Sequence, residues 1–121
     1  LFWLTIMTIG FIPLLVLASD NPHVETCTRL VSDAKKSTTD PDDTVTNCIL
    51  IIDSHKAACI ELMVNEFNEY QITESSVYDG FDSNHIFACS FFKRHSSVTC
   101  LKEMLTQRHP AISDIRTCSR M

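Results

Sequence analysis

The sequence contains few of the residues that interrupt helices. Of its 121 residues, only two are glycine and four are proline. A β-sandwich needs many tight turns, and turns are built largely from these residue types. The scarcity therefore predicts an all-α fold with few connections.

The signatures of common catalytic and metal sites are also missing. The chain has no glycine-rich phosphate loop, no His-Glu-x-x-His helix and no Gly-x-Ser-x-Gly turn. It has no Cys-x-x-Cys pair, the usual beginning of a structural zinc site. His55 and His95 occupy similar places in two cysteine segments, but no further ligand accompanies them. We predict that both lie on helix faces, and that the protein is not an enzyme and has no catalytic residue, metal or cofactor.

The first 18 residues, LFWLTIMTIGFIPLLVLA, carry no charge. Val16 and Ala18 precede the polar Ser19, a pattern typical of a secretory signal peptide. The alternative is a membrane anchor, although Gly10 and Pro13 weaken a spanning helix. We predict a signal peptide at 1–18, a single cysteine-rich domain at 19–121, secretion, and no stable membrane span after cleavage.

Six cysteines, an even number, occur in this short chain. An even count in a small exported protein indicates a disulfide framework rather than free thiols. We therefore predict three disulfides, formed by Cys27, Cys48, Cys59, Cys89, Cys100 and Cys118.

Apolar periodicity predicts a small helical bundle with three main helices and a central antiparallel hairpin. The first helix begins near Pro22. The second runs from Thr46 or Asn47 to about Gln71, and the third covers 86–108, capped by Ser83 or Asn84. Residues 37–44 and 72–84 are predicted connections, and 111–117 a short final turn.

The second and third helices repeat one cysteine spacing, in CILIIDSHKAAC and CSFFKRHSSVTC. Eleven residues come within about 20° of a whole number of helical turns, so both cysteines of each segment share one face. Antiparallel helices with equal spacing can join at two rungs whose residue numbers have one common sum, 148. This geometry predicts the rungs Cys48–Cys100 and Cys59–Cys89. Cys27–Cys118, whose numbers sum to 145, closes an outer loop and completes a nested ladder of disulfides.

A second arrangement remains open. The polar middles of the two segments, DSHK and KRHSS, can bend. Each segment then closes locally, as Cys48–Cys59 and Cys89–Cys100. Saposin-like domains contain one cystine of this kind, so this pairing implies a fold closer to theirs.

The segment FACSFFKRHSSVTCLKEMLTQRHPAISDIRTC, residues 87–118, resembles a cysteine-rich domain of unknown function in secreted nematode proteins. In that family an aromatic-x-Cys, a gap of similar length, a Cys-aliphatic step and a later cysteine recur. The resemblance implies export and a helical fold, and it implies no chemistry.

Charge is distributed unevenly. Residues 19–92 carry four positive and thirteen negative charges, whereas residues 93–121 carry six positive and two negative. The basic stretch 93–120 either binds anionic surfaces or faces the acidic remainder within the fold. The net charge of −5 argues against nucleic acid as a partner.

Two functions remain. The first is a secreted, non-enzymatic interaction protein, such as an extracellular ligand, effector or toxin-like factor, whose partner is an extracellular protein or receptor. The alternative is a carrier of small hydrophobic ligands or lipids. A carrier needs a cavity between helices, and the candidates to line it are Ile51, Ile52, Met63, Phe67, Phe91, Phe92, Met104 and Leu105.

Overall fold

The computed structural model describes residues 21–34, 46–69 and 81–121. Across these ranges the protein is all-α, without a β-strand, and three disulfides hold it together, as predicted. None of the helices in these ranges is long and apolar enough to cross a bilayer. The predicted signal peptide, the predicted loop 37–44 and most of the predicted connection 72–84 lie outside the described residues.

The described residues include five helices with both ends described: α1 (Pro22–Ser32), α2 (Ser54–Glu69), α3 (Ser83–Cys89), α4 (His95–Leu105) and α5 (Ile112–Ser119). The beginning of α1 near Pro22 is as predicted, because the Asn21 side chain accepts bonds from the His23 and Val24 amides at 2.9 and 3.4 Å. This is a typical N-cap. The predicted final turn is the helix α5.

The two long helices predicted from periodicity are each interrupted within the cysteine segment, at residues 49–53 and 90–94. Residues 46–48 are helical, but a new helix, α2, begins at Ser54, where the Asp53 carboxylate accepts bonds from the His55 and Lys56 amides at 3.0 and 3.1 Å. Similarly, α3 ends at Cys89 and α4 begins at His95. The helix predicted at 86–108 is thus two helices, and the cap of α3 is Asp82 rather than Ser83 or Asn84.

One buried side chain joins these two interruptions. The Lys56 ammonium donates to the Phe92 carbonyl at 2.9 Å and pairs with the Asp53 carboxylate. The carbonyl is free for this bond because the helix has ended before it. The turns allow Ile51 and Phe92, both fully buried, to reach the core.

The antiparallel hairpin is confirmed, in the predicted register. Lys56 meets Phe92, Cys59 is bonded to Cys89, and the rings of Phe67 and Phe81 lie 6.0 Å apart. In each pair the residue numbers add up to 148. The register therefore holds along α2 and α3 and stops at the two interruptions.

The disulfide pairing differs from the ladder in two of its rungs. The structure pairs Cys27 with Cys48 and Cys100 with Cys118, so the predicted pairs Cys27–Cys118 and Cys48–Cys100 are wrong. The ladder's third pair, Cys59–Cys89, is present. The ladder required continuous helices, and the turns after Cys48 and before Cys100 end that continuity. The local pairs of the alternative, Cys48–Cys59 and Cys89–Cys100, do not form either.

Helix α2 is the centre of the packing. It contacts α1, α3 and α4, while α5 packs on α3 and α4. The hydrophobic core is one continuous cluster of buried residues contributed by all five helices and by the turns between them. Its largest members are Ile51, Ile60, Met63, Phe67, Phe81, Ile86, Phe92, Leu101 and Ile115.

Candidate functional site: a basic–aromatic groove

A groove of about 470 Å³ lies between the end of α3 with its following turn and the end of α5. No acidic side chain is among the described residues that line it. We call it the basic–aromatic groove. It is lined by two aromatic rings, four cationic side chains and one hydroxyl: Phe87, Phe91, Lys93, Arg94, Arg116, Arg120 and Ser119.

The two aromatic rings of the groove are exposed. Phe87 and Phe91 lie four residues apart, so they share one side of the chain as it leaves α3. Their centroids are 5.0 Å apart in an edge-to-face arrangement. Phe87 is 43% and Phe91 45% exposed, whereas Ile86 and Cys89 on the opposite side of α3 are fully buried. Exposed apolar side chains grouped in this way are characteristic of interaction sites.

The cations come from both walls of the groove. Lys93 and Arg94 belong to the turn before α4, while Arg116 lies in the last turn of α5 and Arg120 caps it. Cations at a helix C-terminus are favoured by the helix dipole. Arg94 also donates to the Met121 carbonyl at 3.2 Å.

Within the described parts of the chain, none of these four cations pairs with an Asp or Glu side chain. Another cation of the basic stretch, Arg108, binds Asp114 of the same stretch at 2.9 Å. Among the described residues, these four side chains therefore do not meet the prediction that the basic stretch faces the acidic remainder of the chain. Within the described residues, no Asp or Glu side chain offsets their charge.

Disulfides hold both walls of the groove. Cys59–Cys89 fixes the end of α3 to α2, next to the turn that carries Phe91. Cys100–Cys118 fixes α5 to α4, and Cys118 lies between Arg116 and Arg120 in the chain. A site on fixed walls loses little conformational entropy when a partner binds.

The two histidines of the cysteine segments lie in different environments. His55 lies half-buried in the first turn of α2, and His95 is exposed as the first residue of α4. Both lie on helices, as predicted, and each follows one of the two interruptions. The described residues contain no group of three or more His, Cys, Asp or Glu side chains suited to a metal ion.

The eight residues predicted to line a carrier cavity occupy three different environments. Ile51, Met63, Phe67 and Phe92 belong to the buried core, while Met104 and Leu105 are partly buried against it. Ile52 and Phe91 are exposed. Met104 alone among the eight lines a second, larger groove of about 840 Å³ along α4, whose lining residues are His95, Ser96, Thr99, Cys100, Glu103, Met104, Gln107, Arg108 and Met121.

Sequence reasoning missed a buried cluster at the other end of α3, which we call the histidine–phenylalanine corner. It contains Phe67, Phe81, His85 and His109 with their acidic neighbours Asp82 and Glu66. The ring centroid of Phe67 lies 5.0 Å from that of His85 and 4.8 Å from that of His109, and both contacts are edge-to-face. The Nδ1 atom of His109 lies 2.8 Å from Glu66 Oε2. The signal available in the sequence was the Asp82 cap three residues before His85.

Burial controls the protonation of His85 in this corner. Desolvation lowers the pKa of His85, and the neighbouring His109 acts in the same direction. The Asp82 carboxylate, 3.0 Å from Nδ1, favours the proton but does not outweigh burial. The imidazole is therefore held neutral, and it packs as part of the core.

Fold and groove together define a class: a small, all-α, disulfide-stapled protein with a basic–aromatic surface. Three disulfides are consistent with an extracellular protein. No protein-family model matches the chain, and neither a curated protein nor a solved structure matches it. The resemblance to the nematode domain stays a prediction.

Proposed function

We propose that the chain is a secreted, non-enzymatic interaction protein, such as an extracellular ligand, effector or toxin-like factor, and that its partner binds in the basic–aromatic groove. The observation that carries this proposal is the exposure of Phe87 and Phe91 among cations on disulfide-held walls. Aromatic side chains and arginine are the residues most enriched at protein interfaces and their hot spots.

Export is the first part of the proposal to test. With an initiator methionine added, expression in a secretory host should release a protein that begins at Ser19 or Asp20. Its mass should show all six cysteines oxidised. Retention in the membrane with residues 1–18 attached would contradict the signal-peptide prediction.

Partner binding is the second part. The protein is screened against a panel of extracellular receptor domains, in parallel with the groove variant Phe87→Ala/Phe91→Ala. The matched control is Ile49→Ala/Ile52→Ala, which also removes two exposed apolar side chains, 59% and 56% exposed. A receptor that binds the wild type and the control but not the groove variant supports the proposal. Binding that the groove variant retains in full places the interaction elsewhere.

The carrier of small hydrophobic ligands remains the alternative. The larger groove along α4 is the observation in its favour, since it has Met104 and Met121 in its lining. Native mass spectrometry of the protein, followed by extraction and lipid analysis, separates the two functions. A stoichiometric apolar ligand supports the carrier, and ligand-free protein together with groove-dependent receptor binding supports the interaction protein.

A further inference from the structure

We propose that the partner presents to the basic–aromatic groove an acidic polypeptide segment that carries an aromatic or aliphatic side chain. This inference rests on the proposed function and specifies the chemistry of its partner. Three features of the groove carry it: its charge, its two exposed aromatic rings and its shape.

The charge of the groove selects an anionic partner. Lys93, Arg94, Arg116 and Arg120 bring four positive charges to one groove, and the described residues that line it contribute no carboxylate. Charge of one sign in a groove with partly apolar walls attracts the opposite charge and steers its approach. Glutamate and aspartate side chains match arginine in particular, because a guanidinium binds a carboxylate through two parallel bonds.

The rings of Phe87 and Phe91 select an apolar group beside that charge. An anion without an apolar group would leave these half-exposed rings in contact with water. An aromatic or aliphatic side chain that packs on them removes apolar surface from water, and an aromatic one gains the ring–ring interaction as well. The partner must therefore combine acidic and apolar groups within a short distance.

The shape of the groove favours a polypeptide segment over a bilayer. The cations lie on two walls, with Lys93 and Arg94 on one and Arg116 and Arg120 on the other. A segment of chain can enter between the walls and reach both. A flat membrane surface meets the rims of a concave site, so it cannot engage both walls and the rings together.

The first experiment measures the binding of synthetic probes by fluorescence anisotropy to the full oxidised protein. The main probe is a short glutamate-rich peptide that contains one tryptophan and one leucine. Two further peptides replace either the glutamates with lysine or the two apolar residues with glycine. We expect the acidic apolar peptide to bind at least about tenfold more tightly than either, and its binding to weaken as salt rises.

Variants locate the binding in the groove. Arg116→Glu/Arg120→Glu should weaken the acidic apolar peptide about tenfold or more at low salt, since attraction becomes repulsion. The matched control is Arg29→Glu/Lys102→Glu, which reverses two exposed charges on α1 and α4 and should change affinity less than about twofold. Circular dichroism checks that both variants keep their helices. Equal weakening by both pairs would overturn the groove as the site.

Vesicles distinguish the polypeptide from a lipid source of the same chemistry. Groove-dependent binding to phosphatidylserine vesicles without binding of the acidic apolar peptide overturns the proposal in favour of a membrane. If neither probe binds, the acidic-segment proposal fails. The receptor screen judges the proposed function separately, because a receptor of other chemistry can still require Phe87 and Phe91.

Discussion

The histidine–phenylalanine corner and the basic–aromatic groove both contain phenylalanine rings and basic side chains. These groups are buried in the corner and exposed in the groove. In the corner, Phe67 is 2% exposed and both imidazoles lie beside carboxylates. In the groove, Phe87 and Phe91 are 43% and 45% exposed, and among the described residues the cations have no Asp or Glu partner.

Helix α3 connects the two regions. His85 belongs to its buried side, and Phe87, two residues later, belongs to its exposed side. Residues two positions apart on a helix face in different directions, so one short helix contributes to both regions. The comparison indicates that the corner contributes stability, whereas the groove leaves apolar and charged surface exposed.

The largest expected effect is the difference in stability between two variants, each of which truncates one phenylalanine: one in the corner and one in the groove. Phe67→Ala should lower the free energy of unfolding by about 3–5 kcal/mol, because it leaves a cavity under two imidazoles and the Phe81 ring. Phe87→Ala should lower it by about 1 kcal/mol or less, mainly the loss of the edge-to-face contact. Urea unfolding of both variants measures the difference.

Binding should respond in the reverse order. Phe87→Ala should weaken a groove partner strongly, while the milder corner variant Phe67→Leu, which keeps more of the core volume, should leave its affinity nearly unchanged. If Phe87→Ala destabilised the fold as much as Phe67→Ala, the groove rings would be part of the core, and the comparison would fail.

Removing one disulfide at a time gives the next largest effect. The bonds Cys27–Cys48 and Cys100–Cys118 join residues separated by 21 and 18 positions. Replacing either pair by alanine should therefore cost about 3 kcal/mol of stability. Only the loss of Cys100–Cys118 frees the wall with Arg116 and Arg120, so only this variant should also weaken acidic-peptide binding under conditions where both variants are folded. Equal binding by both variants would show that the groove does not need its fixed wall.

A smaller effect is expected at Lys56, which joins the two interruptions. Lys56→Met keeps the length of the buried side chain but leaves the Phe92 carbonyl without its donor, at a cost of about 1–3 kcal/mol. The control Lys93→Met removes an exposed ammonium from the groove and should change stability by no more than about 0.5 kcal/mol. Thermal unfolding of both variants checks this. A variant Lys56→Met as stable as the wild type would show that the bond to Phe92 contributes nothing net.

The sequence contained enough to predict the all-α class, the start of α1 and the register of α2 against α3. Equal cysteine spacing carried the register, because paired positions on antiparallel helices have a constant sum. Bends in the two cysteine segments were left open only as the alternative to the ladder, since neither interruption contains glycine or proline. They depend on a capping carboxylate, Asp53, and on a buried ammonium that bonds across the hairpin, which no local pattern reveals.

The groove was only half predictable. The basic stretch was visible as a run of charges, and it was a candidate for anionic surfaces. The aromatic half was not recognised, because Phe91 and Phe92 were assigned to the same carrier cavity. The structure buries Phe92 and exposes Phe91. Which neighbour turns inward depends on where α3 ends, and this position is set by tertiary contacts.

The smallest effect, a dependence of stability on pH, arises in the corner. Because the folded pKa of His85 lies below its ordinary value of 6.5, the unfolded chain takes up the proton first as pH falls. The free energy of unfolding should therefore be highest above about pH 6.5 and decrease as the pH falls from there towards the lower folded pKa, by at most about 1.4 kcal/mol per pH unit. Groove affinity should change less in this range, because its arginines stay charged.

The variant His85→Gln tests the origin of this slope. Glutamine is suited to the third position of a capping box, where the His85 ring now accepts a bond from the Asp82 amide at 3.2 Å, but it does not titrate. Urea unfolding at several pH values should give a flatter profile for His85→Gln than for the wild type. The control His95→Gln alters an exposed imidazole at the first residue of α4 and should keep the wild-type profile. A wild-type slope of the opposite sign would mean that the Asp82 carboxylate outweighs burial and favours the charged imidazole, so that acid would strengthen the corner.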